Sequence, residues 1–109
     1  MFGIIYEYVE VCTGRSAYIG KASSYYGHEH ALNARHKIHL KARAPIPFDL
    51  VLRDKPDAFL LRIIDTVVCG SSLALRVALC PLEKERIRVR QPKFNSIRFA
   101  ALGRVSAKR

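Results

Sequence analysis

The chain opens on Phe2-Gly3-Ile4-Ile5-Tyr6, continues through the polar segment Cys12-Thr13-Gly14-Arg15-Ser16, and then reads Ala17-Tyr18-Ile19-Gly20-Lys21. Two runs rich in Ile, Tyr and Val on either side of a Gly-containing polar segment predict a β-hairpin, with strands over about residues 2–11 and 17–21. Each predicted strand carries a tyrosine, and the second ends in Gly-Lys. We therefore expect two phenols and an ammonium group to lie close together on a rigid surface.

Composition limits the chain to one compact domain, because 109 residues, half of them apolar, leave no room for a second core. Nineteen Lys and Arg against nine Asp and Glu give a net charge of +10 and a pI near 10. Such a charge suits a polyanionic partner, above all nucleic acid and less often an acidic membrane surface. No apolar run approaches the roughly 18 to 20 residues of a membrane span, so we expect a soluble, cytoplasmic protein.

Metal-ligand patterns are weak in this sequence. The histidines of His28-x-His30 flank Glu29, but they lie in segment 22–30, which we expect to be an inserted polar loop whose side chains are solvated. An odd number of cysteines without close pairs does not predict a zinc site. We expect all three to be reduced packing residues: Cys12, Cys69 and Cys80.

A helix is predicted over about residues 31–43 and must end before Pro45. Its predicted apolar stripe is spaced at three- and four-residue steps and consists of Ala31, Ala34, Ile38 and Ala42. Arg35 and His39 are i and i+4, so their side chains lie on one side, one turn apart. Taken alone, both are typical of solvated surface residues. His36 is the alternative to His39 as a site histidine.

The second half of the chain predicts a helical turn over 48–53 and a strand over about 58–65. That strand is almost continuously apolar, which is typical of a strand covered on both faces, and we expect it at the centre of the sheet. A helix then begins after Gly70-Ser71-Ser72. We expect a break or kink near Cys80 and a new helical segment that begins around Pro81, with Glu83 in its first turn.

Several of these residues occur in a recognisable order. Gly3-Ile4-Ile5-Tyr6 and Tyr18-Ile19-Gly20 resemble the two named motifs of the GIY-YIG nuclease family, and Arg35 with His39 follows on a helix. The ending Glu83-x-x-x-Ile87…Pro92-Lys93-Phe94-Asn95 is similar to that of family members, including the incision nucleases of nucleotide excision repair. The resemblance runs from Gly3 to Asn95. It implies an α/β (α+β) fold in β-β-α-β-α order, a small three-stranded, mainly antiparallel sheet flanked by helices.

The resemblance also implies a domain division and a reaction. We expect a nuclease domain over residues 1–97 and a basic C-terminal tail over 98–109, either a backbone-contacting arm or a frayed end. The reaction would be metal-dependent endonucleolytic hydrolysis of DNA phosphodiester bonds. Glu83 would hold the metal, Mg²⁺ or Mn²⁺, since Mg²⁺ commonly takes only one or two protein carboxylates.

The remaining roles follow from the same resemblance. Tyr6 is favoured as the general base and Tyr18 as its partner or stand-in, although the choice between them stays open. Because a phenol with a pKa near 10 is a poor base, we expect Lys21, Arg35 and the metal to lower that pKa. Arg35 would also clamp the phosphate, and His39 would assist proton transfer or bind phosphate. Asn95 would fix the site by hydrogen bonding. The residues expected to bind nucleic acid are Lys21, Arg35, Lys37 and Lys41.

Two other classes of function compete with this hypothesis. One is a non-catalytic basic module that keeps the fold for nucleic-acid binding, and the other is a small basic ribosome-associated protein, which explains the charge but not the ordered motifs. DNA is the expected partner, with RNA as the alternative. Specificity would come from a homodimer or from a protein partner. Repair, homing or mobile-element propagation, phage competition and restriction are all compatible roles.

Overall fold

A computed structural model describes residues 1–95, and a three-stranded antiparallel sheet lies at its centre. The strands are β1 (Phe2–Glu10), β2 (Ser16–Ser24) and β3 (Phe59–Val68). The helices are α1 (His28–Lys41), α2 (Pro47–Asp54) and α3 (Ser72–Arg90), with a short 3-10 turn at Pro56–Ala58. The predicted α+β class is confirmed, and the helical turn predicted over 48–53 is the helix α2. The predicted tail, 98–109, lies outside the described residues.

The hairpin is longer than its sequence predicts. β2 pairs with β1 as far as Ser24, which lies opposite Phe2, so only residues 25–27 separate β2 from α1. The expected long inserted loop over 22–30 is therefore wrong. The first residues of this segment continue β2, because backbone pairing along the full length of β1 outweighs the polar character of their side chains. Its last residues belong to α1, which begins at His28.

The central strand is β1 and not β3, so the expectation that β3 occupies the centre is wrong. The sheet order is β2-β1-β3, and β3 alternates between exposed and half-buried residues, whereas six consecutive residues of β1 are buried. The sequence did not indicate the central position of β1, because a carboxylate at Glu7 is typical of an exposed strand end. Glu7 is 1% exposed, and Arg62 and Arg90 both contact its carboxylate, the former at 2.7 Å.

The buried side of α1 differs from the predicted stripe. Ala34 and Ile38 are exposed, and the buried residues of this helix are Ala31, Leu32 and His39. Helical periodicity in the sequence predicts that a polar imidazole lies on the solvent-exposed face of the helix. Here the imidazole is satisfied by hydrogen bonds inside the protein, which is what makes its burial tolerable.

Helix α3 continues through Pro81 as one helix, so the expected break, with a new helical segment beginning there, is wrong. Pro81 removes one N–H, which would have bonded to the carbonyl of Val77 one turn earlier. Both residues are exposed, so that carbonyl is open to water. Glu83 consequently lies in the middle of the helix. Favourable interaction with a helix N-terminus does not explain a carboxylate at this position.

The sheet is covered on both faces. α1 and α2 enclose an aromatic cluster around Tyr6, Tyr8 and Phe48, while α3 packs Leu75 and Leu79 on the opposite face. After α3, Pro92 and Phe94 are buried, and the ring centroids of Phe94 and Phe48 lie 5.5 Å apart. Asn95 then bonds to the backbone of Ile19 in β2, so the chain returns to the hairpin. None of the helices within residues 1–95 has the length and apolar character needed to cross a membrane.

Candidate active site

A cleft of about 350 Å³, which we name the main cleft, lies at the β2 edge of the sheet. Five elements, β1, β2, α1, α2 and α3, contribute side chains to it. Six of the predicted site residues line it: Tyr6, Tyr18, Lys21, Arg35, His39 and Glu83. Residues separated by up to 77 positions in the chain therefore share one recess.

Tyr6 reaches this cleft because Gly20 lies beside it. The two residues are directly opposite each other in the β1–β2 ladder. A methyl group at Gly20 would overlap the hydroxyl and the ring of Tyr6. The absence of a Cβ lets the phenol lie across the edge strand, which is the close approach that glycine permits within a strand. The glycine of Tyr18-Ile19-Gly20 thus has a steric role in the site.

A hydrogen-bonded chain runs from the main cleft into the protein. The Tyr6 hydroxyl lies 2.7 Å from Nε2 of His39, and Nδ1 of His39 lies 2.5 Å from Oδ1 of Asp49. A carboxylate oxygen accepts, so Nδ1 carries the proton and Nε2 presents its lone pair to Tyr6. Tyr6 therefore donates to His39, and His39 donates to Asp49. All three side chains are at least 90% buried.

Asp49 is the residue that the sequence analysis missed. Its other oxygen, Oδ2, accepts from the backbone N–H of Ile46, so the carboxylate is held from both sides in the first turn of α2. Arg53 then ties α2 to α1 by donating to the carbonyl oxygens of His39 and Ala42. Pro47 at the helix start followed by an acidic residue predicts only a local cap. Nothing in the sequence pairs Asp49 with His39.

Burial controls the protonation of this chain. It raises the pKa of Tyr6 well above its usual value of 10, and the neighbouring Tyr18 acts in the same direction. The positive charge of Arg35 opposes this without outweighing it. The expected lowering of the pKa by Arg35 is therefore present, but it is smaller than the raising effect of burial. Burial also lowers the pKa of His39, against the raising effect of Asp49, so His39 is neutral at neutral pH.

A second tyrosine–histidine pair lies two residues further along β1. The Tyr8 hydroxyl is 2.6 Å from Nδ1 of His36. Neither side chain lines the main cleft. The structure thus places His39, and not its alternative His36, beside Tyr6 and the cleft.

Glu83 enters the main cleft from α3, and its Oε1 lies 3.1 Å from Nζ of Lys21. Its side chain keeps 20% of its surface exposed. Glu85, two residues on, is exposed and pairs instead with Arg88. Arg35 also lines the cleft, and no carboxylate within residues 1–95 forms an ion pair with it. A guanidinium in a cleft without an acidic partner is available to an anionic ligand.

The donor set of the main cleft suits a hydrated Mg²⁺ or Mn²⁺ better than a metal that requires several protein ligands. The part of the chain that the structure describes contains no group of three His, Cys, Asp or Glu able to hold a metal. Both oxygens of Asp49 are engaged, which leaves Glu83 as the carboxylate in the cleft. Mg²⁺ keeps several waters and is commonly bound by one or two carboxylates together with substrate phosphates.

The other candidate ligands lie elsewhere. His28 contacts the carbonyl of Val67 and His30 bonds to the hydroxyl of Ser24, so the two histidines take separate partners. The three cysteines are free. Cys12 is exposed in the hairpin turn, so the expectation that it is a packing residue is wrong.

Asn95 lies behind the site. Its Oδ1 accepts from the N–H of Ile19 at 2.8 Å, and its Nδ2 donates to the carbonyl of the same residue at 3.0 Å. Both bonds are buried, so the amide holds β2 between Tyr18 and Gly20. This agrees with the structural role expected of it. Lys37 and Lys41 lie exposed on α1, beside a shallow hollow shared with Ile38 and Ala42.

Comparisons of the chain with protein-family models, with curated proteins and with solved structures found no match.

Proposed function

We propose that this chain is a metal-dependent endonuclease of the GIY-YIG type, which hydrolyses phosphodiester bonds in DNA. The observation that carries the proposal is the convergence in one cleft of Tyr6 with its histidine, an arginine without an acidic partner, and a carboxylate. Hydrolysis of a phosphodiester needs a proton acceptor for water and positive charge for the phosphate. These are the two kinds of group that the cleft contains, together with one carboxylate for a metal.

Proton transfer is the step for which the hydrogen-bonded chain is best suited. With its raised pKa, Tyr6 does not release its proton to solvent at neutral pH. It can pass that proton to Nε2 of His39 while its oxygen takes a proton from the attacking water. The imidazolium that forms is stabilised by the carboxylate of Asp49, which also keeps the imidazole in the required tautomer. In this proposal Tyr6 is the group that contacts water, and His39 is the base behind it.

Positive charge in the main cleft is supplied by Arg35 and Lys21. The planar fork of Arg35 matches two oxygens of a phosphate and would stabilise the extra charge of the transition state. Lys21 lines the cleft and pairs with Glu83. Mg²⁺ or Mn²⁺ bound at Glu83 would neutralise phosphate charge and stabilise the leaving oxygen. The exposed Lys37 and Lys41 would contact the nucleic-acid backbone beyond the cleft.

One observation favours the alternative, a basic nucleic-acid-binding module without catalysis. The carboxylate that would hold the metal is already paired with Lys21. Such a pair balances the charge of the cleft and needs no metal. The net charge of +10 supports binding of nucleic acid equally in both cases. Cleavage, and not binding, must therefore decide between the two functions.

The deciding experiment compares supercoiled-plasmid cleavage by wild type, Glu83→Ala and Glu85→Ala in Mg²⁺ or Mn²⁺. Glu85→Ala is a matched control, because it removes a carboxylate from the same helix. The Glu85 side chain is 50% exposed and lies outside the main cleft. We expect metal-dependent nicking or linearisation by wild type and Glu85→Ala, and none above background by Glu83→Ala.

Either of two results would contradict the proposal. Wild type that binds plasmid, branched DNA and RNA but leaves all three intact would establish the binding module instead. Equal loss of cleavage in the two variants would show that charge on α3 matters but that Glu83 is not the metal ligand.

A further inference from the structure

A second recess adjoins the main cleft on the side of α3. We name it the side cleft; its volume is about 180 Å³, and its polar lining consists of Lys21, Ser23, Arg35, Ser72 and Arg76. Lys21 and Arg35 line both recesses. The two recesses therefore meet at these two cations, and a ligand that extends through one can continue into the other.

The side cleft has the chemistry of an anion site. Three of its lining side chains are cationic, two are hydroxyl groups, and none of the described residues that line it is acidic. The main cleft, in contrast, contains the carboxylates of Asp49 and Glu83. Of the three cations, Lys21 forms an ion pair with Glu83, whereas neither Arg35 nor Arg76 forms an ion pair with a carboxylate in residues 1–95.

A third recess also adjoins the main cleft. Ile38 and Ala42 line both the main cleft and the shallow hollow beside Lys37 and Lys41. The main cleft thus shares lining residues with both the lysine hollow and the side cleft. Three adjoining recesses bordered by cations fit a polyanionic strand better than they fit an isolated small anion.

We propose that the side cleft binds the backbone phosphate next to the one in the main cleft, on the same nucleic-acid strand, with Arg76 as its principal contact. This proposal deepens the nuclease function and rests on it for the position of the cleaved bond. Arg76 is exposed on α3, and its guanidinium would bind the phosphate together with the hydroxyl groups of Ser23 and Ser72. Contacts of this kind position a strand without reading its sequence.

The test is the salt dependence of binding to a short labelled DNA duplex of mixed sequence, measured without Mg²⁺ so that no cleavage occurs. The variants are Arg76→Ala, Arg76→Lys and Lys55→Ala, the last removing an exposed charge at the end of α2 that lies outside all three recesses. We expect Arg76→Ala to reduce the slope of log K against log salt by about 0.9, the value for one lost phosphate contact in duplex DNA. Arg76→Lys should restore the slope, and Lys55→Ala should leave it unchanged.

A second measurement locates the phosphate. Each linkage of the duplex in turn is replaced by an uncharged methylphosphonate, and the affinity is measured again. We expect one linkage adjacent to the cleaved bond to weaken binding by wild type but not by Arg76→Ala. A side cleft that takes only free phosphate would produce no such position, and inorganic phosphate would then bind wild type more tightly than Arg76→Ala.

The proposal is overturned if Arg76→Ala keeps the wild-type slope, or if Lys55→Ala lowers the slope equally, because general electrostatic attraction would then explain the binding. These outcomes are distinct from failure of the nuclease function. If no substrate is cleaved but the slope still depends on Arg76, the proposed reaction fails and the phosphate contact remains. If cleavage depends on Glu83 but the slope does not depend on Arg76, only the side-cleft proposal fails.

Discussion

Two tyrosine–histidine pairs link β1 to α1, and they differ in almost nothing except their surroundings. Tyr6 with His39 and Tyr8 with His36 have hydrogen-bond distances of 2.7 and 2.6 Å. Burial raises the pKa of both tyrosines and lowers the pKa of both histidines. Only the first pair lines the main cleft and has a carboxylate behind its imidazole. A hydrogen-bonded tyrosine–histidine pair thus becomes a candidate proton relay when a carboxylate supports its imidazole and a cleft gives it access to substrate.

The cross-strand neighbour explains the difference in access. Tyr6 lies opposite Gly20, which has no side chain to cover it, whereas Tyr8 lies opposite Tyr18. Tyr8 also packs against the ring of Phe48, with centroids 4.8 Å apart. One glycine in an edge strand thus lets the phenol of Tyr6 line the main cleft, while aromatic rings surround the ring of Tyr8.

The largest difference in cleavage rate between the two pairs should appear when the tyrosine hydroxyl groups are removed. We expect Tyr6→Phe to lower the rate of DNA cleavage by about 10²- to 10⁴-fold, the usual contribution of a positioned acid–base group. Tyr8→Phe should cost a hydrogen bond worth about 0.5–1.5 kcal/mol of stability and leave the rate within a few-fold of wild type. Single-turnover cleavage and urea unfolding of both variants provide the two measurements. Equal rate losses would mean that both pairs act only by supporting the fold.

Asp49→Asn removes the carboxylate behind His39 and so makes the first pair resemble the second. An amide nitrogen can donate to Nδ1 of His39, which would leave Nε2 protonated and unable to accept from Tyr6. We expect a rate loss of roughly 10- to 100-fold, by analogy with the range found for hydrogen-bond partners of metal-ligating histidines. Asp54→Asn, on the exposed part of α2, is the control.

The pH–rate profile separates this role of Asp49 from a merely structural one. Asp49 raises the pKa of His39, so its removal should lower that pKa further. Because His39 must be neutral to accept a proton, the acid limb of the residual activity should move to lower pH. If Asp49 only capped α2, its replacement would reduce the stability of the protein without moving the acid limb of the pH–rate profile.

Gly20→Ala tests the steric origin of the difference. The added methyl would overlap Tyr6 but not Tyr8, and overpacking of this kind costs about 1–3 kcal/mol. We expect reduced stability in urea unfolding together with a loss of cleavage, because the phenol must move away from the cleft. Tyr6→Phe combined with Gly20→Ala should recover part of the stability, since the hydroxyl that is overlapped is gone. Full activity in Gly20→Ala would contradict this explanation.

The smallest expected effect is one that the two pairs share. Both histidines have pKa values below the unfolded value of about 6.5, so the unfolded state binds protons first as the pH falls. Their contribution to stability is complete above about pH 6.5 and decreases below it, by at most about 1.4 kcal/mol per pH unit for each histidine. Urea unfolding at about pH 7.5 and about pH 5.5 measures the difference. His36→Gln and His39→Gln should each make it smaller, and an unchanged difference in both variants would assign it to other groups.

Several features follow from the sequence by itself. The hairpin, the α+β class and the one-turn spacing of Arg35 and His39 depend on neighbours within a few positions, which turn residues and helical periodicity describe well. The ordered motifs also selected six residues that line one cleft. Local patterns were less reliable where polar residues are buried, as Glu7 and His39 show, because their burial depends on partners far away in the chain.

Only the tertiary structure decided the arrangement around that cleft. The central position of β1, the unbroken course of α3 through Pro81 and the pairing of Asp49 with His39 depend on contacts between elements. A carboxylate in the first turn of a helix has the same local signature whether it only caps that helix or also orients an imidazole. Hydrogen bonds within elements are encoded by local spacing. The partners of buried polar groups are selected by packing across the whole fold, where an unpaired group is too costly to tolerate.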